Sequence, residues 1–201
     1  KDDPESVAKF ATRMQHEARR LTDLVQEIIN LSRLQDSDPL SVADEVSIDD
    51  IIQVAVDQCQ TIAQARKIEV IFTKSSHAIV LGDGEQITMA VHNLIENAIN
   101  YSPENTKVSV TTEIEDGIVQ VSVTDQGIGI PESDQSRIFE RFYRVDPARS
   151  RETGGTGLGL SIVKHVATNH GGDVKVWSAP AVGSTFALRL PIYSNTGETN
   201  S

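Results

Sequence analysis

Val108-Ser109-Val110-Thr111-Thr112-Glu113-Ile114-Glu115-Asp116-Gly117-Ile118-Val119-Gln120-Val121-Ser122-Val123-Thr124-Asp125 is the stretch that separates one fold class from another. Apolar side chains alternate with polar ones on both sides of Asp116-Gly117. An Asp-Gly pair between two alternating runs is the strongest short-range signal for a β-hairpin. A hairpin makes antiparallel neighbours, which excludes a doubly wound, all-parallel sheet. Upstream, Gly82-Asp83-Gly84 reads as a turn before a helix over 85–101. Ile68–Thr73 and Ala78–Leu81 read as short strands. Ser47-x-x-Asp50 resembles a capping box that opens a helix reaching about Lys67. Downstream, residues 126–155 hold no long periodic element. Thr156–His170 then reads as a helix, and Asp173–Ser178 and Ser184–Leu190 as strands. This order predicts an α/β fold of the α+β sandwich type, a mixed sheet with its helices on one face.

Further out lies a different kind of element. Residues 4–35 carry Val7, Phe10, Met14, Ala18, Leu21, Leu24, Val25, Ile28, Leu31 and Leu34 at three- and four-residue intervals. Asp3 suits an N-cap and Pro4 the first helical position. The spacing predicts one helix of about four heptads with an apolar stripe along its length. Such a stripe needs another helix, or the neighbouring domain, to cover it. Asp36, Ser37, Asp38 and Pro39 break the pattern and open a linker running to Val46. The expected organisation is a partial helical domain over 1–38, a larger domain over 39–193 and a frayed tail over 194–201. The chain opens on Lys1, not Met, and reads as a piece of something longer.

Composition narrows the function classes. Of 201 residues, 18 are Lys or Arg and 29 are Asp or Glu, a net charge of −11 that disfavours nucleic acid and anionic membranes as partners. No apolar run is long enough to span a bilayer. Cys59 stands alone, so no internal disulfide can form, which suits a reducing compartment. Against this acidic background Arg137, Arg141, Arg144, Arg149 and Arg151 cluster, with only Glu140 and Asp146 opposing them. That window is either a solvated helix face or a patch for an anion such as phosphate.

Three motifs carry chemistry. In Asn93-Leu94-Ile95-Glu96-Asn97-Ala98-Ile99-Asn100-Tyr101, the asparagines at i, i+4 and i+7 share one helix face, beside Glu96 and Tyr101. Asparagine is a poor helix former. The row is either solvated or presents neutral oxygens to Mg²⁺, whose other ligands would be phosphate and water. Asp125-Gln126-Gly127-Ile128-Gly129-Ile130-Pro131 follows a strand. Its glycines allow close backbone approach to a flat ligand, and Asp125 can accept a hydrogen bond, though such turns are common. Gly154-Gly155-Thr156-Gly157-Leu158-Gly159-Leu160 leads into a helix whose first N–H groups could meet phosphate. No apolar strand precedes it and no Gly-Lys-Ser/Thr occurs, so neither a dinucleotide fingerprint nor a P-loop fits.

Taken in order, Asn93–Tyr101, Asp125–Gly129, Phe139-Glu140-Arg141-Phe142-Tyr143-Arg144, Gly155–Gly159 and Gly183-Ser184-Thr185-Phe186 resemble the N, G1, F, G2 and G3 boxes of bacterial sensor histidine kinases. The set spans about residues 92–190. Residues 1–35, ending Leu31-Ser32-Arg33-Leu34, look like the second helix of that family's dimerisation and histidine-phosphotransfer hairpin, and the chain is most similar to the PhoR-like branch. The resemblance implies an ATP-binding domain of the gyrase, chaperone and histidine-kinase superfamily, with a mixed five-stranded sheet, three helices on one face, and a lid. It implies ATP and Mg²⁺ as ligands. By position, Asn93 and Asn97 match the metal-binding asparagines, with Glu96 between them. Asp125 matches the acceptor of the adenine amino group, and Thr185 the hydroxyl supporting it. Gly127, Gly129, Ile130, Gly155, Thr156, Gly157, Leu158 and Gly159 fall around purine and phosphates. Tyr101, Arg144 and Arg141 match phosphate-contacting positions, and Phe139 and Phe142 look like lid anchors. Where the family commonly has Lys, this chain has Asn100.

The implied function is transfer of the ATP γ-phosphoryl group to a histidine outside this chain, for relay to a cognate response regulator. Among the five histidines, His16-Glu17 starts like the family's phosphoacceptor box but continues Ala18-Arg19-Arg20 without its proline. His77, His92, His165 and His170 match no such box. The resemblance further implies a homodimer through the hairpin and a cytoplasmic portion of a membrane-anchored sensor, with no membrane contact of its own. Two rivals stand beside it. A gyrase- or chaperone-like ATPase would carry a water-activating Glu where Asn93 stands, and Asn cannot act as that base. A non-catalytic dimerisation module would keep the fold without binding Mg-ATP.

Overall fold

The computed structural model describes residues 4–36, 43–145 and 155–194. The expected cap at Asp3, the breakers Ser37, Asp38 and Pro39, Arg149, Arg151, Gly154, the tail beyond Ser194 and the side chain of His16 lie outside the described residues.

The long helix α1 runs Pro4–Asp36. β1 (Asp44–Ser47) follows, then α2 (Ile48–Ala65), β2 (Glu69–Lys74), β3 (Ile79–Gly82) and α3 (Gly84–Tyr101). β4 (Lys107–Glu115) and β5 (Ile118–Thr124) form the expected hairpin. The one-turn α4 (Glu132–Gln135), α5 (Gly159–Asn169), β6 (Asp173–Ala179) and β7 (Gly183–Pro191) complete the described chain. The main sheet has five strands in the order β2-β4-β5-β7-β6. Only β2 and β4 run parallel; the other pairs are antiparallel, so the sheet is mixed as expected.

Alternation puts the core on one face. Val108, Val110 and Thr112 on β4 are buried, as are Val119, Val121 and Val123 on β5 and Phe186, Leu188 and Leu190 on β7. Against them lie Ile52 and Val56 of α2, Leu94, Ile95 and Ile99 of α3, and Ile162, Val163 and Val166 of α5. α3 packs between α2 and α5. The opposite face carries Thr111, Ser122, Gln120 and Thr124, residues that need no cover.

Helix starts follow their caps. The Ser47 hydroxyl accepts from the Asp50 N–H at 3.3 Å, and the Asp83 carboxylate accepts from the Glu85 and Gln86 N–H groups at 2.9 and 3.1 Å. His170 joins the far ends of two helices. Its Nδ1 faces the Val166 carbonyl at 2.8 Å and therefore carries the proton, leaving Nε2 to accept from the Asp83 N–H at 3.1 Å.

Three details differ from the sequence reading. Residues 44–46, expected in the linker, join Ser47 in β1, which pairs with β3 in a separate two-stranded sheet. The run is too short to show a period. α5 starts at Gly159, not Thr156, because Gly157 has φ +80° and ends any helix running into it. The apolar stripe of α1 is covered only near its end. Leu31 is 7% exposed and Leu24 half-buried where α1 meets α5, whereas Phe10 is 65% and Leu21 61% exposed.

Leu94→Ala should destabilise the protein by about 2–5 kcal/mol through the cavity left behind, and Val182→Ala on an exposed turn by less than about 0.5 kcal/mol. Urea denaturation of both variants checks the placement of the core.

Candidate functional site

α3 divides its residues by face. Leu94, Ile95, Ala98 and Ile99 are buried among the other helices and the sheet, while Asn93, Glu96, Asn97 and Asn100 line a cavity of about 490 Å³. The row of asparagines therefore faces this cavity. The Asn93 Nδ2 donates to the Met89 carbonyl at 2.9 Å, which fixes the amide plane and leaves its oxygen for the cavity side. α5 begins against this face. A Cβ on Gly159 would stand 2.8 Å from the Asn93 Oδ1, so no side chain fits there without displacing the amide.

At the end of β5, Asp125 is only 7% exposed. Its Oδ1 accepts from the Gly127 N–H at 2.7 Å and from the Ser184 N–H at 3.1 Å. The Asp125 N–H returns a bond to the Ser184 carbonyl at 2.8 Å. Burial pushes the carboxyl pKa up, opposed by the Gly127 and Ser184 N–H groups and the Ser184 hydroxyl. The turn that follows needs its second glycine. Gly129 has φ +68°, and a Cβ there would lie 1.9 Å from the Ala179 carbonyl oxygen. The Ile130 N–H donates to the Ser178 hydroxyl at 2.8 Å, and the Gln135 amide bridges the Ile130 and Ser178 carbonyls at 3.1 and 2.9 Å.

The third wall is the segment before α5. Phe142, itself at φ +63°, donates its N–H to the Gly157 carbonyl at 2.9 Å. The Thr156 hydroxyl accepts from the Leu158 N–H at 3.2 Å and donates to the Glu27 carboxylate of α1. Phe139 packs edge-on against Phe186 with centroids 6.5 Å apart. Tyr143 donates its hydroxyl to Asp134 and lies beneath the Arg137 guanidinium, 4.3 Å from its ring centre.

The cavity collects Asn93, Glu96, Asn97, Tyr101, Asp125, Gly129, Ile130, Arg144, Gly155, Thr156, Gly157 and Gly159, all expected from sequence. Four expected residues fall outside its lining. Gly127 serves through its N–H to Asp125 and has no room for a side chain, since a Cβ would meet the Tyr101 carbonyl oxygen at 2.6 Å. Leu158 is fully buried in the core, its N–H spent on the Thr156 hydroxyl. Arg141 is exposed, away from the lining. Thr185 projects from the other face of β7, where its hydroxyl pairs with that of Thr124 at 3.0 Å. Ser184 stands beside Asp125 in the place expected for Thr185. Strand alternation contains the reason, because Ser184 shares its face with Phe186, Leu188 and Leu190. Of the two expected anchors, Phe139 is packed, whereas the Phe142 ring is exposed and that residue is held by its backbone. Gln26 and Glu27 line the cavity from α1, and no local sequence signal points to them.

Other chemistries find no support among the described residues. Cys59 is buried and its thiol is pushed up to about 12, chiefly by desolvation, so it is no nucleophile. No cluster of three His, Cys, Asp or Glu side chains gathers to hold a metal. A cation at this site would be held by amide oxygens, the hard neutral donors that Mg²⁺ accepts beside phosphate and water.

A buried carboxylate, an asparagine face and a glycine-rich helix start line one cavity. Residues 82–194 match the family of histidine kinase-, DNA gyrase B- and HSP90-like ATPases. Within that class the chain belongs to the sensor histidine kinases, as their catalytic ATP-binding region. It is 32% identical to the mycobacterial sensor histidine kinase MprB, whose solved structure superposes with a TM-score of 0.65 over 75% of this chain and 97% of that one. The sensor-like histidine kinase SenX3 of Mycolicibacterium smegmatis is 48% identical over 192 residues, 96% of this chain and 50% of the relative. The chain thus spans about half the length of that curated relative. The full-length ShkA complex with AMPPNP shares 26% identity and a TM-score of 0.76, covering 93% of this chain and 39% of that one.

Gly129→Ala should cost at least about 1–2 kcal/mol for the left-handed backbone alone, before the clash with Ala179 is counted. A thermal melt that leaves the variant as stable as the parent would contradict this geometry.

Proposed function

We propose that the cavity binds Mg-ATP and presents its γ-phosphoryl group to a histidine that is none of the five in this chain, for relay to an aspartate of a response regulator. The observation that carries this is the Asp125 carboxylate, buried and held by two N–H groups opposite the asparagine face. An ionised carboxylate accepts only, so it matches the amino group of adenine and mismatches the carbonyl of guanine. Asn93 and Asn97 would hold Mg²⁺, which neutralises phosphate charge when bound. Arg144 and the N–H groups at the start of α5 would meet the phosphates. Positioning and charge neutralisation are the protein's share of phosphoryl transfer. Asn93 also speaks against the hydrolase rival, since an amide cannot activate water as Glu does.

In the same reading, residues 1–38 belong to a dimerisation and phosphotransfer hairpin and 39–193 to the ATP-binding domain. The exposed Val7, Phe10, Met14, Leu21, Val25 and Ile28 would face the partner helices of a dimer in the whole protein, the cytoplasmic part of a membrane-anchored sensor. Among the described residues no helix is long and apolar enough to cross a membrane.

Calorimetry should show ATP binding more tightly than GTP, and Asp125→Asn should weaken ATP binding by about tenfold or more, the worth of one charge-assisted hydrogen bond. Equal affinity for ATP and GTP would sink the adenine assignment. Binding also carries a pH signature. Burial holds the Asp125 pKa above its ordinary value, and the adenine amino group selects the ionised form. Affinity should therefore be full above that raised pKa and fall as pH drops through it, and Asp125→Asn should flatten the profile. Asn97→Ala should abolish most of the Mg²⁺-dependent gain in ATP affinity while leaving the circular dichroism spectrum unchanged.

A further inference from the structure

α1 and the glycine-rich segment before α5 are far apart in sequence, yet the Thr156 hydroxyl donates to the Glu27 carboxylate. The same hydroxyl accepts from the Leu158 N–H at the mouth of α5. Gln26 and Glu27 also line the cavity together with Asn93, Asn97, Arg144 and Gly157. The contact is backed by packing, since Leu31 is buried and Leu24 half-buried where α1 meets α5. A carboxylate thus stands among the groups assigned above to the phosphates, at the positive end of a helix, where an anion is favoured.

We propose that Glu27 is an intramolecular anion in the subsite of the nucleotide's terminal phosphate, and that it sets the balance between ATP and ADP. This rests on the nucleotide reading above. Like charges in one small site repel, so the γ-phosphate and the Glu27 carboxylate exclude each other. A diphosphate leaves that end of the site to Glu27. ATP therefore binds at the expense of the Glu27–Thr156 contact, and α1 loses this polar contact with the ATPase domain when the triphosphate enters. The coupling is reciprocal: whatever loosens α1 favours ATP over ADP. Glu27 is here a residue of nucleotide discrimination and of helix docking, and takes no part in bond making.

Glu27→Gln is the sharp test, because it keeps the size of the side chain and an acceptor for Thr156 while removing the charge. Titrating the whole chain with Mg-ATP and with Mg-ADP, Glu27→Gln should tighten ATP by about three- to tenfold, the range expected for removing one nearby like charge in a partly solvated site, and ADP by less than about twofold. In parallel, spin labels placed at Ala11→Cys and Lys175→Cys should report a longer and broader distance distribution with Mg-ATP than with Mg-ADP. Cys59 is buried and resists labelling. Equal tightening for ATP and ADP, or no change for either, overturns the proposal while leaving the nucleotide reading intact. So does weaker Mg-ATP binding by Glu27→Gln, which would make Glu27 a ligand of the metal instead. Failure of the unaltered chain to bind either nucleotide overturns the nucleotide reading and this proposal with it.

Discussion

A carboxylate removed from water is tolerated only where donors replace its hydration, and the site is arranged around that requirement. Asp125 lies at the end of β5, and its donors come from the turn after it and from the start of β7. The returning bond from its own N–H to the Ser184 carbonyl stitches β5 to β7 at that end. Gly183 must run so close to the Asp125 carbonyl that a Cβ would sit 2.2 Å from the oxygen, with φ +121° besides. The carboxylate position, the register of β5 with β7 and the glycine at the start of β7 are one constraint seen from three sides. It puts a polar acceptor into the lining of a cavity to which Ile130, Ile138 and Phe186 add apolar surface.

The one-sided sheet sets where the rest of the site can be. Helices cover a single face, so ligand space has to open between α3, α5 and the ends of the central strands. α3 is amphipathic in an unusual sense: its polar stripe faces a cavity instead of bulk water, and its poor helix formers are tolerated because the opposite stripe is among the most buried in the molecule. α5 then approaches that stripe through Gly159, which is why helix start and asparagine face are within reach of one ligand. Shape and chemistry come from the same close approach of backbone to side chain.

Much of this was legible in the sequence because the signals are local. The Asp116-Gly117 hairpin, the cap at Ser47, the turn at Gly82-Asp83-Gly84, the alternating strands and the order of the glycine and asparagine motifs each depend on residues a few positions apart. What stayed hidden depends on pairing at a distance. β1 is four residues long and becomes a strand only because β3 lies beside it. Apolar spacing carries the helix back to Thr156 because it says nothing of the left-handed Gly157. Motif position points to Thr185, although alternation along β7 sends Ser184 toward Asp125 and Thr185 toward Thr124. Glu27 could not be found at all, since its role arises from a contact between residues 129 positions apart.

The uncovered stripe of α1 looked like a choice between pairing with another helix and folding back on the ATPase domain. In the structure, the side of α1 that meets the ATPase domain and the exposed apolar stripe are different sides of the helix. At 3.6 residues per turn, Leu24, Glu27 and Leu31 fall on one side of the helix, and Met14, Leu21, Val25 and Ile28 on a neighbouring side about a quarter-turn away. The first set meets the ATPase domain and the second is exposed. One helix can therefore hold the nucleotide domain and a partner helix at the same time. The two contacts differ in kind. An apolar seam is indifferent to ligand charge, whereas the contact at Glu27 is polar and lies at the nucleotide cavity. A change at the nucleotide would therefore act on the ATPase side of the helix and leave the proposed dimer seam intact.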